Sequence, residues 1–534
     1  MTRFNRILTL LAVVLMAASA VAQNPRVTTK NGVLEGKYEQ GLCIFLGVPF
    51  AQPPVGDLRW VAPQPVKAWQ GVREAKEYGP NPMQEPVFGD MAFGTKKMSE
   101  DCLYLNIWSP AKSASDNLPV FIYFNGGGFM AGSGSEPRYA GDALAHEGII
   151  AITANYRMDI FGCYANKELS KETSYKGSGN YGYMDQAAAI QWVKDNIAAF
   201  GGDPNRITIE GESAGSYSTS ALCASPMSRN NIARGMGSSG SWLDSKDTQS
   251  LKEAEKEGAE VMKKLGCKSI KEMRAMPAEE LLKKAHVSGM PKLVVDGKFM
   301  PEPIYDIYAK GEQAQVPMFI GGNNLEFPVM WRLAGKRGTV AMAREWAAQK
   351  YGEENADKVL KAFRIYTDDD VNGEPGNKLA SVLFIDYGTW KWLEMESKTD
   401  KQPVYRYLFC HPRPEQRVAK EAMLAGGTKD AEKKAPLLPG AVHSADIEYQ
   451  MGTLATNRIY DWTPCCTTTS TLFLKYTANF VKTGNPNGLG LPEWKPCNGD
   501  VSGNVLYIDV NPVLKKAEWD DAYRVVDQVV RSGK

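Results

Sequence analysis

Histidine is scarce. Four occur in 534 residues, at positions 146, 286, 411 and 443. Any imidazole chemistry must therefore come from one of four places. None of the nine cysteines is spaced as C-x-x-C, and no cysteine–histidine cluster exists, which argues against a structural zinc site. Neither charge sign is in excess, with 62 Lys+Arg against 61 Asp+Glu, so there is no basic field to favour nucleic acid. The 50 glycines follow no fixed period, which excludes collagen and short solenoid repeats. No apolar run of membrane-spanning length follows the first two dozen residues. What is present is a 43% hydrophobic share, enough to bury a large core rather than leave a disordered chain.

Residues 1–22 read as an export leader. Arg3 and Arg6 precede an apolar stretch, and Ala20-Val21-Ala22 is a small-residue cleavage pattern before Gln23. No cysteine follows until Cys43, so a lipid anchor is unsupported. The expected mature chain is 23–534, one domain, secreted or periplasmic. Lys30-Asn31-Gly32-Val33 signals a hairpin turn. Strand-like runs follow at 103–108, 120–124 and 149–155, then a helical pattern over 185–200 with Ala188, Trp192, Val193 and Ile197 on one face. Gly201 and Pro204 stop it. A β-rich run at 206–210, a helix over 214–223 and strands at 317–320 and 403–409 continue the alternation. Leu251, Ala254, Val261, Met262 and Leu265 recur at helical spacing. The charged, proline-bearing stretch 429–439 reads as a surface loop. Strand–helix alternation of this kind predicts an α/β fold around a mostly parallel sheet.

The sharpest motif is Ile207-Thr208-Ile209-Glu210-Gly211-Glu212-Ser213-Ala214-Gly215-Ser216. Gly-x-Ser-x-Gly between a β-like run and a small-residue helix is the pattern of a nucleophile elbow. The turn forces the serine into a strained backbone, and glycines at 211 and 215 remove Cβ atoms where strand and helix approach. Upstream, Val120–Phe124 leads into Asn125-Gly126-Gly127-Gly128-Phe129, where exposed backbone N–H groups can face a developing negative oxygen. Each such donor contributes roughly 3–4 kcal/mol in a transition state. No phosphate-cradling glycine motif is present.

These residues carry a resemblance. The chain is similar to the type B carboxylesterases of the α/β-hydrolase superfamily, the family that includes the cholinesterases. Besides Gly211-Glu212-Ser213-Ala214-Gly215, it has Ser99-Glu100-Asp101-Cys102-Leu103-Tyr104-Leu105-Asn106, Gly47-Val48-Pro49-Phe50-Ala51, Leu58-Arg59-Trp60, Asn155-Tyr156-Arg157, Phe200-Gly201-Gly202-Asp203-Pro204, Asp296-Gly297 and Thr483-Gly484-Asn485-Pro486-Asn487 before Trp494. The resemblance runs from about residue 26 to 496. It implies an α/β-hydrolase fold with long loop insertions around the active site, and hydrolysis of a small-molecule or polymer-linked ester without metal or organic cofactor.

The family order of serine, acid, histidine implies Ser213 as nucleophile, Glu326 as acid and His443 as base. His443 lies in Gly440-Ala441-Val442-His443-Ser444-Ala445-Asp446, similar to the family's histidine segment; His411 is the alternative. Glu326 ends a strand-plus-loop, with Asp446 and Asp306 as alternatives. The family usually has glycine after this glutamate, and here stands Phe327, a departure that bears on the loop and pocket wall. The N–H groups of Gly127, Gly128 and Ala214 match the family's oxyanion hole, with Gly126 and Glu212 expected to support it and Ser239 expected just behind the reacting groups. Many bacterial relatives have histidine where Asn125 stands. Arg157–Asp185 and Arg59–Glu100 match structural ion pairs.

Both family disulfides are expected to be missing, because Met83 and Glu272 stand where partners of Cys102 and Cys267 would be. A link from Cys465 or Cys466 to Cys497 or Cys410 stays open. Cys43, Cys163 and Cys223 read as core thiols. The 83–102 loop holds Phe88 and Phe93 but no tryptophan for a choline cation, which disfavours cholinesterase activity. Two other readings stay open, a non-catalytic binding protein on the same fold and an amidase or peptidase using the same residues.

Overall fold

The computed structural model describes residues 24–89, 91–244, 248–285, 290–417 and 436–532. The expected leader, His286 and most of the 429–439 loop lie outside them. An 11-stranded sheet organises the molecule. In chain order its strands are β1 (Lys37–Glu39), β2 (Leu42–Pro49), β3 (Tyr104–Ser109), β4 (Leu118–Phe124), β5 (Ile150–Ala154), β6 (Gly202–Glu212), β7 (Arg234–Ser238), β8 (Met318–Asn323), β9 (Val404–Phe409), β10 (Val505–Ile508) and β11 (Val513–Lys515). In space the order is β1-β2-β3-β5-β4-β6-β7-β8-β9-β10-β11. From β5 to β10 every neighbouring pair is parallel, and the antiparallel strands lie at the two edges. This is the mostly parallel sheet that the strand–helix alternation predicts.

Central strands are apolar on both faces because helices cover both. Val120, Ile122 and Phe124 of β4 share a core with residues of α1 (Tyr181–Asn196), α2 (Ala214–Ala224) and α3 (Tyr387–Thr399), such as Trp192, Ala221 and Trp392. Phe121 and Tyr123 point the other way, into a core with Phe473, Tyr476 and Phe480 of α4 (Pro464–Thr483). Each buried side chain of this size contributes about 1.5–3 kcal/mol of transfer free energy, so this alternation fixes the strand register.

The 185–200 reading is shifted. α1 begins at Tyr181, and Ile197–Phe200 is a separate 3₁₀ turn ending on Gly201 at φ 86°. The first turn of α1 is wholly buried, so it carries no polar-to-apolar rhythm by which a start could be read. Both expected ion pairs form. Arg157 grips Asp185 through Nε and Nη2 at 2.8 Å each, and Arg59 grips Glu100 at 2.7 Å through Nε and Nη2. The hairpin turns at Lys30-Asn31, pairing Arg26–Thr29 with Gly32–Glu35.

All nine cysteines are free thiols, so the open link between Cys465 or Cys466 and Cys497 or Cys410 does not form. Cys497 is buried beside Arg406, and Cys466 is engaged by His411. Met83 and Cys102 are both buried and line one small internal gap, so packing replaces the family's bridge there. Of the three expected core thiols only Cys223 is fully buried; Cys43 and Cys163 are half-buried.

Candidate active site

Parallel strands place their following loops on one rim of the sheet. Ser213 follows β6, Ser239 follows β7, Glu326 lies just beyond β8, and Gly126–Gly128 follow β4, the neighbour of β6. His443 comes from the chain after β9. The ends of five strands thus converge on one rim.

Ser213 adopts φ 55° and ψ −122°, a region that side chains avoid and that costs on the order of 1–3 kcal/mol. Its neighbours hold it there. Ser213 N–H donates to the Ser238 carbonyl at 2.8 Å, and its own carbonyl accepts from Tyr217 N–H at 3.0 Å in the first turn of α2. A Cβ on Gly211 would lie 2.3 Å from the Gly215 carbonyl carbon, and one on Gly215 would lie 2.1 Å from the Phe124 carbonyl oxygen. Only hydrogen fits at either place, which is why the motif needs both glycines.

His443 Nε2 lies 2.9 Å from Ser213 Oγ, across 230 residues of sequence. His443 Nδ1 lies 2.7 Å from Glu326 Oε2. Glu326 is fully buried, and its other oxygen accepts from Ser239 Oγ and from Asn323 N–H, each at 2.5 Å. Asp446 instead accepts from Asn323 Nδ2 and Tyr407 Oη, and Asp306 sits in the separate helix Ile304–Ala309. The two loops are stitched by backbone: Leu325 N–H donates to the Ala441 carbonyl at 3.0 Å and His443 N–H to the Glu326 carbonyl at 3.2 Å. Arg413 Nη2 reaches the Ser444 carbonyl at 2.8 Å and pins the other side.

Beside Ser213, Gly126 packs so tightly that a Cβ would lie 2.6 Å from the Glu212 carbonyl oxygen. Gly127 has φ 99°, and a Cβ there would meet the Ala131 carbonyl oxygen at 1.9 Å. Among the described residues, none accepts from the N–H groups of Gly127, Gly128 or Ala214. Asn125 is buried, and its side chain folds onto the Gly126 carbonyl at 2.8 Å, bracing the loop from behind.

The site is rich in buried carboxylates. Glu212 Oε1 lies 3.3 Å from His443 Nε2. Burial, helped by the charges of Asp446 and Glu326, pushes Glu212 up to about 8. Burial and the nearby Asp446 push Glu210 up to about 8 as well. Burial opposes the charge on Glu326 too, but the bonds from His443, Ser239 and Asn323 prevail and hold it below the ordinary range. Burial pulls His443 down, yet Glu212, Glu326 and Asp446 outweigh it and hold the imidazole at about 9.

One neighbour of the site is not legible in sequence. Phe384 stands edge-on to the His443 ring with centroids 5.0 Å apart. It is carried by a π-helical segment, Val382–Asp386, whose extra residue per turn leaves no pattern to read. Phe327 sends its N–H to Ser381 Oγ at 3.1 Å and its ring against Phe384 and Trp331, so it turns away from Glu326 into this aromatic rim. Asp446, the alternative acid, is fully buried and bonds Asn323 and Tyr407 rather than His443. His146 caps its own helix by bonding the Asp142 and Gln40 carbonyls, and His411 lies elsewhere, against Asp509.

A mostly parallel sheet with these loops at its carboxyl rim defines an α/β-hydrolase of the esterase class. The chain belongs to the carboxylesterase family, whose model matches residues 23–525, and it is a carboxylic ester hydrolase. A fumonisin B1 esterase from Sphingopyxis macrogoltabida is 37% identical over 71% of this chain and 70% of its own length. Liver carboxylesterase 1 from Oryctolagus cuniculus is 32% identical over 88% of this chain and 87% of its own. Among solved structures, a PNB esterase superimposes with a TM-score of 0.78 at 27% identity, covering 94% of this chain and 99% of that one. A carboxylesterase from Geobacillus stearothermophilus gives 0.74 at 28% identity over 94% and 99%.

Proposed function

We propose that the chain is an exported serine esterase in which Ser213, His443 and Glu326 act as one unit. The observation that carries this reading is the continuous line from Ser213 Oγ through both nitrogens of His443 to Glu326. A serine hydroxyl is a weak nucleophile at neutral pH, so His443 takes its proton as Oγ attacks the ester carbonyl. Glu326 holds the proton of the other nitrogen and stabilises the imidazolium. The N–H groups of Gly127, Gly128 and Ala214 receive the oxyanion. His443 then protonates the departing alcohol, and a water that it activates releases the acid from Ser213. The aromatic rim of Phe384, Phe327 and Trp331 suits an ester with an apolar group on the His443 side. Export rests on the leader-like residues 1–22, and among the described residues no helix is long and apolar enough to cross a membrane.

The direct test is a fluorophosphonate probe on the folded protein. One equivalent is expected on Ser213, with loss of ester turnover in proportion to labelling. Labelling elsewhere, or turnover surviving full labelling of Ser213, would overturn the reading.

The pH dependence follows from the carboxylates around His443. An ordinary imidazole would put the acid limb of kcat/KM at a pKa of ~6–7. Here the imidazole is raised to about 9, so near neutrality the protonated form predominates and only the neutral fraction accepts a proton from Ser213. The limb therefore lies well on the alkaline side of the ordinary value, spread by the titration of Glu212 itself at about 8. Glu212→Gln removes an anion that favours the imidazolium, so His443 releases its proton at lower pH. The limb should move acidward by about one unit. A limb that stays in place in kcat/KM–pH profiles of both proteins would contradict the assignment.

A further inference from the structure

Away from Ser213, a second nucleophilic side chain is held by an imidazole. Cys466 lies in the first turn of α4, under its cap: Cys466 N–H donates to Thr463 Oγ1, which also lies 3.3 Å from Cys466 Sγ. His411, beyond the end of β9, places Nε2 3.5 Å from that sulfur. Its Nδ1 lies 2.6 Å from Oδ1 of Asp509, the residue after β10. Three separate segments thus assemble a thiol, an imidazole and a carboxylate in a row, with the Tyr449 ring edge-on to His411 at 5.5 Å.

The arrangement favours charge separation. Asp509 stabilises an imidazolium, and an imidazolium with a helix N-terminus stabilises a thiolate. Burial works against the charge on His411, but Cys466 and Asp509 prevail and raise it. Burial likewise pushes the Cys466 thiol up, yet the contacts with His411 and Thr463 bring it down to about 7. The buried thiols of Cys102, Cys223 and Cys497, and the partly buried Cys410, move the opposite way, because burial acts on them largely uncompensated.

We propose that Cys466 is an oxidant-reactive thiolate, a modification site for hydrogen peroxide that His411 and Asp509 activate. The thiolate sulfur attacks one peroxide oxygen; the S–O bond forms as the O–O bond breaks, and two electrons pass from sulfur to the peroxide. The departing hydroxide takes the proton of the His411 imidazolium and leaves as water. Cys466 becomes a sulfenic acid and His411 becomes neutral. Ester hydrolysis uses none of these groups. Access selects the reagent. Cys466 is 1% exposed, which excludes a bulky alkylating agent more strongly than a two-oxygen oxidant. The Asp509 side chain is 45% exposed and borders a surface cleft of about 750 Å³.

The test treats the full chain carrying Cys465→Ser with hydrogen peroxide in the presence of dimedone, and locates adducts by tandem mass spectrometry. Cys466 is expected to be labelled at least about tenfold faster than any other thiol, and His411→Asn to slow that labelling about tenfold. Cys466→Ser should abolish the adduct and leave ester turnover unchanged. Absence of an adduct at Cys466 in the folded protein, or a rate indifferent to His411→Asn, overturns the proposal. Should His411→Asn fail to fold, the pH dependence of labelling in the His411 protein decides. A half-maximal rate near pH 7 supports the proposal, and one at the ordinary thiol value of about 8.5 or above overturns it.

Discussion

Ser213→Ala is expected to lower kcat for an aryl ester by about 10⁵–10⁶, with KM changed only a few-fold. The loss corresponds to about 7–8 kcal/mol of activation free energy. Its size follows from what the substitution removes. Without Oγ no acyl-enzyme can form, and His443 faces a methyl group instead of a hydroxyl at 2.9 Å. The backbone N–H groups remain, so a residual rate above that of water alone persists through binding and oxyanion stabilisation. Folding should not suffer, because among the described residues Oγ bonds only His443 and the strained turn is held by backbone and glycine contacts. Steady-state kinetics on a panel of aryl and alkyl esters checks this, with circular dichroism for the fold. Equal turnover by both proteins would remove Ser213 from the mechanism.

Glu326→Gln should cost about 10³–10⁴ in kcat, less than the nucleophile but more than any residue outside the three. The Glu326 carboxylate accepts four hydrogen bonds and donates none: His443 on one oxygen, Ser239 Oγ and both the N–H and Nδ2 of Asn323 on the other. A glutamine of the same shape must turn its NH₂ toward one of those sides. Facing His443, it makes Nδ1 the acceptor and puts the proton on Nε2, where Ser213 needs a base. Facing Ser239 and Asn323, it sets donor against donor in a fully buried place, which costs roughly 1–3 kcal/mol of stability. Kinetics and thermal unfolding measured together separate the two orientations. Glu326→Asp should restore part of the rate, since it keeps the acceptor chemistry and loses only reach. Full activity in Glu326→Gln would mean that another group orients His443.

Different physics made different residues legible. The elbow is local: strand, turn and helix are contiguous, so the pattern around Ser213 announces itself. Gly127 and Gly128 are legible for the same reason, as glycines directly after an apolar strand. Glu326 and His443 bear no such local mark. A lone carboxylate near a strand end and a histidine in a loop are ordinary features, and only family resemblance picked them from Asp306, Asp446 and His411. The start of α1, the π-helical segment with Phe384 and the turn of Phe327 toward Trp331 escaped because each depends on burial or backbone geometry without a sequence rhythm. The Cys466–His411–Asp509 row escaped for another reason: its members stand far apart, and each alone looks like a core or surface residue.

From residue order alone came the alternating α/β architecture and the strained serine with its glycines, because hydrophobic period and turn chemistry act over a few residues; the two buried arginine–carboxylate pairs were legible only through the family resemblance. The meeting of Ser213 with His443 and Glu326, the high proton affinity of that imidazole and the free state of all nine thiols were decided only by tertiary structure. Contacts across 117 and 230 residues, and the charge that burial concentrates around them, exist only after the sheet has brought its strand ends to one rim.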